Sequence, residues 1–119
     1  MPLNRRRGEV EAVFDGRPRR LVLSLGALAE LEGAFEVTDL TALAERFESG
    51  RLSARDLVRI LGAGLRGAGE EISDVEVGRL AHGDGAPGFV RAAAALLGAT
   101  FGGGEGGPAE AGGPFPGTR

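Results

Sequence analysis

The chain has 119 residues, of which 42% are hydrophobic, so it can form one small domain with a modest core. It contains no cysteine, which excludes a disulfide scaffold, a thiolate metal site and cysteine-based catalysis. The net charge of −3 and the pI of about 5.2 argue against a dedicated nucleic-acid-binding protein. We find neither a signal peptide nor the ~18 consecutive apolar residues of a membrane span. We therefore expect no membrane association and a cytoplasmic location.

The first quarter of the sequence predicts a basic N-terminus followed by a β-hairpin. Residues 1–7 are basic and lack an apolar pattern, so we expect a flexible N-terminus there. Residues 8–24 are predicted as a hairpin, because polar and apolar residues alternate before the turn sequence Asp15-Gly16-Arg17-Pro18. Two strands alone are only marginally stable in water. The hairpin must therefore pack on the helices that follow.

From residue 25 the apolar residues follow a helical period, and we predict about five short helices between residues 25 and 101. The first covers 25–36 with Ser24 as its N-cap, and the second covers 39–49 with Thr38 as its N-cap. Ser53 begins the third helix, with Asp56 completing a capping box.

The last two helices also begin at recognisable start signals. Ser73-Asp74-Val75-Glu76 is a capping-box sequence for a short helix to about residue 81. Pro87 suits the first turn of a final helix that continues to about residue 101. We expect this helix to bury four apolar residues, which are Val90, Ala93, Leu97 and Phe101.

Together these elements predict a single small α+β domain over residues 8–101. It is mostly α, with the hairpin packed on a small bundle of helices. Residues 102–119 contain eight Gly and three Pro, so we expect a disordered Gly/Pro-rich C-terminal tail. Within it, Phe115 lies between Pro114 and Pro116 and is a candidate docking residue.

No arrangement of residues predicts catalysis, a cofactor or a metal. His82 is the only histidine, and we interpret it as a solvated loop residue. Residues 62–67 match the G-x-G-x-x-G pattern of dinucleotide-binding loops, but they end a predicted helix instead of following a strand. We interpret these glycines as helix-packing positions followed by a helix stop. The pairs Glu9/Glu11 and Glu70/Glu71 are interpreted as solvated carboxylates, so we expect no enzyme.

The candidate partner-binding residues belong to two apolar stripes and one arginine cluster. The stripes are Leu28, Leu31 and Phe35 on the first helix, and Leu40, Leu43 and Phe47 on the second. The alternative is that both stripes simply face the core. The cluster consists of Arg17, Arg19 and Arg20 on the hairpin, together with Arg5-Arg6-Arg7. It could dock an acidic protein surface or hold phosphates, and the alternative is ordinary solvated charge.

A series of short segments carries a family likeness through its order and spacing. The segments are Asn4-Arg5, Arg7-Gly8-Glu9-Val10, Asp15-Gly16-Arg17, Leu25-Gly26-Ala27-Leu28-Ala29-Glu30-Leu31-Glu32, Ala44-Glu45-Arg46-Phe47, Ser53-Ala54-Arg55-Asp56-Leu57, Leu61-Gly62-Ala63-Gly64-Leu65-Arg66-Gly67 and Ser73-Asp74-Val75-Glu76-Val77. Through them, residues 4–101 resemble the gene transfer agent and phage tail assembly chaperone family, which has also been described as a phage tail tube protein family.

The resemblance implies a non-enzymatic tail assembly protein. Such chaperones bind the tape-measure protein and keep it soluble until tail tube subunits displace them, so the implied partners are the tape-measure protein and/or the tail tube protein. Self-association is a further expectation. One alternative is a structural tail tube or connector subunit, located in particle tails. Another is a small phosphate- or nucleic-acid-binding module that uses the arginine-rich hairpin. A longer product made by frameshifting near Gly102-Gly103-Gly104 is a further hypothesis.

Overall fold

A computed structural model describes residues 8–49 and 51–102. It contains an antiparallel two-stranded hairpin and five helices, which confirms the predicted α+β, mostly α, fold. The elements are β1 (Glu9–Phe14), β2 (Arg17–Val22), α1 (Leu25–Phe35), α2 (Leu40–Glu48), α3 (Ala54–Gly67), α4 (Asp74–Val77) and α5 (Ala86–Phe101). The predicted N-terminus at 1–7 lies outside the described residues, and so does the predicted tail except for Gly102.

The hairpin closes through a two-residue turn, Asp15-Gly16. Both residues have positive φ, at 55° and 75°, which is the turn geometry that matches the twist of paired strands. Alternation along the strands then directs Val10 and Phe14 of β1 and Leu21 of β2 into the core, where all three are buried. The hairpin is thus held by one apolar face packed on helices, as its small size requires.

The first two helices begin at side-chain caps. Ser24 caps α1 as predicted, and its hydroxyl accepts the backbone N–H of Ala27 at 3.1 Å. The predicted cap of α2 is wrong, because Asp39 and not Thr38 occupies that position. The Asp39 carboxylate accepts the N–H of Ala42 at 2.8 Å. A carboxylate also interacts favourably with the positive start of a helix, which explains why it is preferred to the hydroxyl one residue earlier.

α3 is the central helix, and it packs against β2, α1, α4 and α5. Its predicted capping box is confirmed, since the side chains of Ser53 and Asp56 each accept the other's backbone N–H at 3.1 Å. The helix is buried without interruption from Ile60 to Leu65. It therefore forms the floor on which the other elements lie.

The glycines of the 62–67 segment allow neighbouring elements to approach α3 closely. A Cβ on Gly64 would lie 2.6 Å from Leu96 Cδ2, and a Cβ on Gly67 would lie 2.0 Å from the carbonyl oxygen of Val22. α3 ends at Gly67. Helix packing followed by a helix stop was the interpretation of this segment, and the structure agrees with it.

α4 is a single turn that ends at Val77, so the predicted extension to about residue 81 is wrong. Its capping box of Ser73 and Glu76 is present as predicted. Instead of continuing as a helix, the chain turns and meets the tip of the hairpin. There Ala81 O accepts the N–H of Asp15 at 2.8 Å, and Ala81 N donates to Asp15 Oδ1 at 2.9 Å.

α5 has Pro87 in its first turn as predicted, but its buried face differs from the predicted one. Of the four residues expected in the core, only Ala93 is buried, and Val90 is 48% exposed. Ala92 and Leu96 are buried instead, while Leu97 and Phe101 are half-buried. Apolar residues surround this helix on most sides, so their period does not determine which side meets the core. Within the described residues, no helix has both the length and the apolar character needed to cross a bilayer.

Candidate partner-binding surfaces

The two predicted apolar stripes meet where α1 packs on α2. Leu31, Leu43 and Phe47 are buried there. The rings of Phe35 and Phe47 pack edge to face, with 5.3 Å between their centroids. In the folded chain these side chains therefore build the core, which was the alternative considered from sequence.

Three residues of the stripes keep accessible surface. Leu28 and Phe35 are half-buried, and Leu40 is 41% exposed at the start of α2. The guanidinium of Arg46 lies over the Phe35 ring, 5.5 Å from its centroid. We call Leu28, Phe35 and Leu40 the α1–α2 edge. Partner binding by the stripe residues stays a prediction, and this edge is the part of them that a partner can reach.

The arginines of the hairpin fall into two groups. Arg17 and Arg20 are exposed, whereas the Arg19 side chain is only 12% exposed and forms an ion pair with Glu70. Glu70 is therefore partnered, and the solvated interpretation of this carboxylate is wrong. The three arginines border a shallow depression of about 440 Å³ with the chain after α3. Arg5-Arg6-Arg7 lies outside the described residues.

A second arginine cluster lies between the end of α2 and the start of α3, and the sequence analysis missed it. Its members are Arg46, Arg51, Arg55 and Arg59, which border a depression of about 760 Å³ around the buried carboxylate of Asp56. The last three recur every fourth residue, which was the available signal. Two of the four have structural roles. Arg46 lies 3.5 Å from the Asp56 carboxylate, and Arg59 donates to the carbonyl oxygen of Ala34 at 3.0 Å.

Arg66 links three helices. Its guanidinium pairs with Glu30 of α1, lies 3.0 Å from Asp74 of α4, and donates to the carbonyl oxygen of Ile72 at 2.8 Å. Partial burial lowers the pKa of Arg66, but hydrogen bonds and charge from Glu30 and Asp74 outweigh it, so the pKa is raised overall. This network is a structural clamp, because all three nitrogens of the guanidinium contact protein acceptors.

His82 lies in a loop as predicted, but it is half-buried against two phenylalanine rings and is therefore less solvated than predicted. Its ring lies 5.9 Å from the ring of Phe14 and 5.9 Å from that of Phe89. Its Nδ1 accepts the backbone N–H of Asp84 at 3.0 Å. A Cβ on Gly88 would lie 2.1 Å from this nitrogen, so the glycine makes room for the ring. Over residues 8–49 and 51–102, no cluster of three or more His, Asp or Glu side chains could hold a metal ion.

An apolar groove lies between α3, α4 and the first turn of α5. Its main lining side chains are Leu57, Val58, Leu61, Val77, Leu80 and Phe89, and the cavity measures about 170 Å³. Leu61 and Val77 are buried at its base, and the other four are half-buried. Sequence reasoning missed this groove, because three separate helices contribute to it.

Comparison with known proteins gives one match. The family model described as "Phage tail tube protein, GTA-gp10" matches residues 7–103, a span that includes every described strand and helix. No curated protein and no solved structure matches the chain. The description of the family names a phage tail protein and no enzymatic activity. The chain therefore belongs to the phage tail tube protein family GTA-gp10, and it is a tail-related protein of the gene transfer agent type.

Proposed function

We propose that this protein is a tail assembly chaperone that binds the tape-measure protein transiently in the cytoplasm of the producing cell. One observation carries the proposal. The domain buries most of its own apolar stripes, and the large apolar side chains that stay exposed are isolated from one another. These are Val13, Leu25, Leu40, Val75 and Val90, each on a different strand or helix.

Scattered apolar side chains suit reversible binding better than permanent assembly. Obligate interfaces resemble a divided protein core and bury large apolar areas. A chaperone that tube subunits must displace needs contacts weak enough to release. The exposed residues are aliphatic, and the aromatic anchors that dominate tight interfaces are absent from this set.

The α1–α2 edge is the contact surface we favour for a helical partner. Leu40 is exposed there, and Leu28 and Phe35 are half-buried. An amphipathic helix could contact these side chains with its apolar face. The neighbouring Arg46 could pair with a carboxylate on the polar side of the same helix.

A test of this contact compares two charge substitutions at exposed aliphatic positions. Leu40→Asp places a carboxylate on the α1–α2 edge, and Val75→Asp places one on α4 as a matched control. We expect co-expression with the tape-measure protein to keep it soluble with the wild-type chain and with Val75→Asp, but not with Leu40→Asp. Equal solubility with both variants would exclude the α1–α2 edge as the contact.

A structural subunit of the tail tube is the second candidate, because the description of the matched family names a tail tube protein. Quantitative mass spectrometry of purified particles and of the producing-cell lysate separates the two functions. We expect the protein to be abundant in the lysate and missing from finished particles. Many copies in every particle would overturn the chaperone proposal and establish the structural function.

A further inference from the structure

The groove between α3, α4 and α5 has the size and lining to bind one apolar side chain. Leu61 and Val77 form a buried floor, and the walls are aliphatic except for the ring of Phe89. The cavity of about 170 Å³ is well below the roughly 300–1,000 Å³ of pockets for drug-sized ligands, which suits a side chain and not a whole helix face. The groove therefore fits a single inserted residue.

We propose that this groove binds Phe115 from the C-terminal segment of the same chain. Residues 103–119 lie outside the described structure, and Phe115 is the only large apolar residue among them. It could stack on Phe89, as aromatic pairs do. Pro114 and Pro116 restrict the backbone on both sides of it, which lowers the entropy lost when the segment docks.

The length of the segment permits this docking. The segment starts beyond the C-terminal end of α5, and the groove lies at the N-terminal end of the same helix. A helix of 16 residues spans about 24 Å. The thirteen residues from Gly103 to Phe115 can extend over about 43 Å. Phe115 therefore reaches the groove with slack for the path around the helix.

Tethering makes up for the weakness of a single-residue contact. One aromatic anchor in a small groove binds weakly by itself, but the covalent link to α5 holds it at an effective concentration on the order of millimolar. A contact with a Kd of about 1 mM would then be docked in roughly half of the molecules, with rapid exchange between the two states. This inference stands independently of the proposed chaperone function.

Tryptophan fluorescence in the full chain tests the proposal. The protein has no Trp, so Phe115→Trp reports on position 115 alone, and Ala111→Trp is a matched control in the same segment. We expect emission from position 115 at shorter wavelength and collisional quenching by acrylamide roughly twofold slower than at position 111. Adding Leu57→Glu in the groove should abolish this protection while leaving the helical circular dichroism unchanged.

A second measurement does not depend on Trp fitting the groove or on Leu57→Glu folding. In methyl NMR spectra of the full chain, we expect Phe115→Ala to shift resonances of Leu57, Val77 and Leu80. The methyls of Leu25, 80% exposed on α1, should not move. If the methyl resonances of these groove residues do not shift, the proposal is wrong. Protection that disappears on dilution would also overturn it, since the segment would then come from a second copy. Equal quenching at positions 115 and 111 would show that Phe115 does not occupy the groove, and this result would also overturn the proposal.

Discussion

Gly67 sets how closely the hairpin can approach α3. An added Cβ would lie 2.0 Å from the carbonyl oxygen of Val22 and 3.2 Å from the backbone nitrogen of Ser24. Both neighbours are backbone atoms, so neither can rotate away as a flexible side chain would. We expect Gly67→Ala to lower the free energy of unfolding by about 1–3 kcal/mol, measured by urea denaturation.

Gly33 is the matched control for this prediction. It lies within α1, and nothing approaches within 4 Å of the position that its Cβ would occupy. We expect Gly33→Ala to raise the free energy of unfolding by about 0.5–1 kcal/mol, because alanine restricts the unfolded chain and favours the helix. If both substitutions stabilised the protein, the close contact between β2 and α3 would be excluded.

Arg66 tests whether the geometry of a side chain matters beyond its charge. A lysine at this position keeps the positive charge but lacks the planar guanidinium that donates to Glu30 and Ile72 O while lying beside Asp74. We expect Arg66→Lys to cost about 1–2 kcal/mol of unfolding free energy. Arg79→Lys, at an exposed turn after α4, should change the stability little. Equal stability of the two variants would contradict the clamp.

At the scale of single elements, the α4 capping box predicts a pH dependence. The pKa of Glu76 is lowered from its ordinary 4.5, first because its carboxylate accepts the backbone N–H of Ser73 and then through the Ser73 hydroxyl and nearby Arg79. A lowered pKa in the folded state contributes stability that is complete above pH 4.5 and is lost as the pH falls through the lowered value.

The measurement is the free energy of unfolding between pH 7 and pH 3 for the wild type and for Glu76→Gln. We expect the wild type to be more stable at neutral pH and the difference to shrink at acidic pH, since only the wild type loses a carboxylate from the box. Glu71→Gln removes a carboxylate outside the box and serves as the control. A difference that stays constant with pH would show that the capping box is not the source of this stability.

The N-terminal ends of the helices were the part of the fold that could best be predicted from the sequence. Ser24, Ser53 and Ser73 cap their helices as predicted, because each capping bond joins residues three apart. The orientation of α5 could not be predicted in the same way. Its run of four alanines includes Ala92 and Ala93 in the core and two exposed neighbours, and no local feature distinguishes them.

The candidate surfaces depended more strongly on tertiary contacts. The stripe residues were visible in the sequence, but their burial at the α1–α2 contact was not decided by it. The ion pair between Arg19 and Glu70 joins residues 51 positions apart, and two charges so distant give no sequence signal that they meet. The groove likewise exists only after three helices have packed. Family likeness and local caps were therefore predictable, whereas surface chemistry required the fold.

At the scale of the whole molecule, charge is distributed unevenly despite the net value of −3. Arg51 and Arg55 are exposed near the α2–α3 junction, and Arg17 and Arg20 are exposed on the hairpin. An acidic partner surface would be attracted to these sites in a salt-dependent way, because exposed charges are screened over about 10 Å at 0.1 M salt. Binding of an acidic partner through these arginines should therefore weaken as the salt concentration rises.

A transient coat on the tape-measure protein also predicts the phenotype of cells that lack this protein. Under the proposed function, the tape-measure protein should aggregate through the apolar surfaces that the chaperone would otherwise cover. We expect it to move to the insoluble fraction, and we expect particles without tails by electron microscopy. Expressing the wild-type chain from a second site should restore both soluble tape measure and tails. A structural tube subunit predicts a different pattern, in which tails are lost while the tape-measure protein stays soluble, because its solubility would not depend on the tube. The solubility of the tape-measure protein in cells that lack this protein therefore distinguishes a chaperone from a tube subunit.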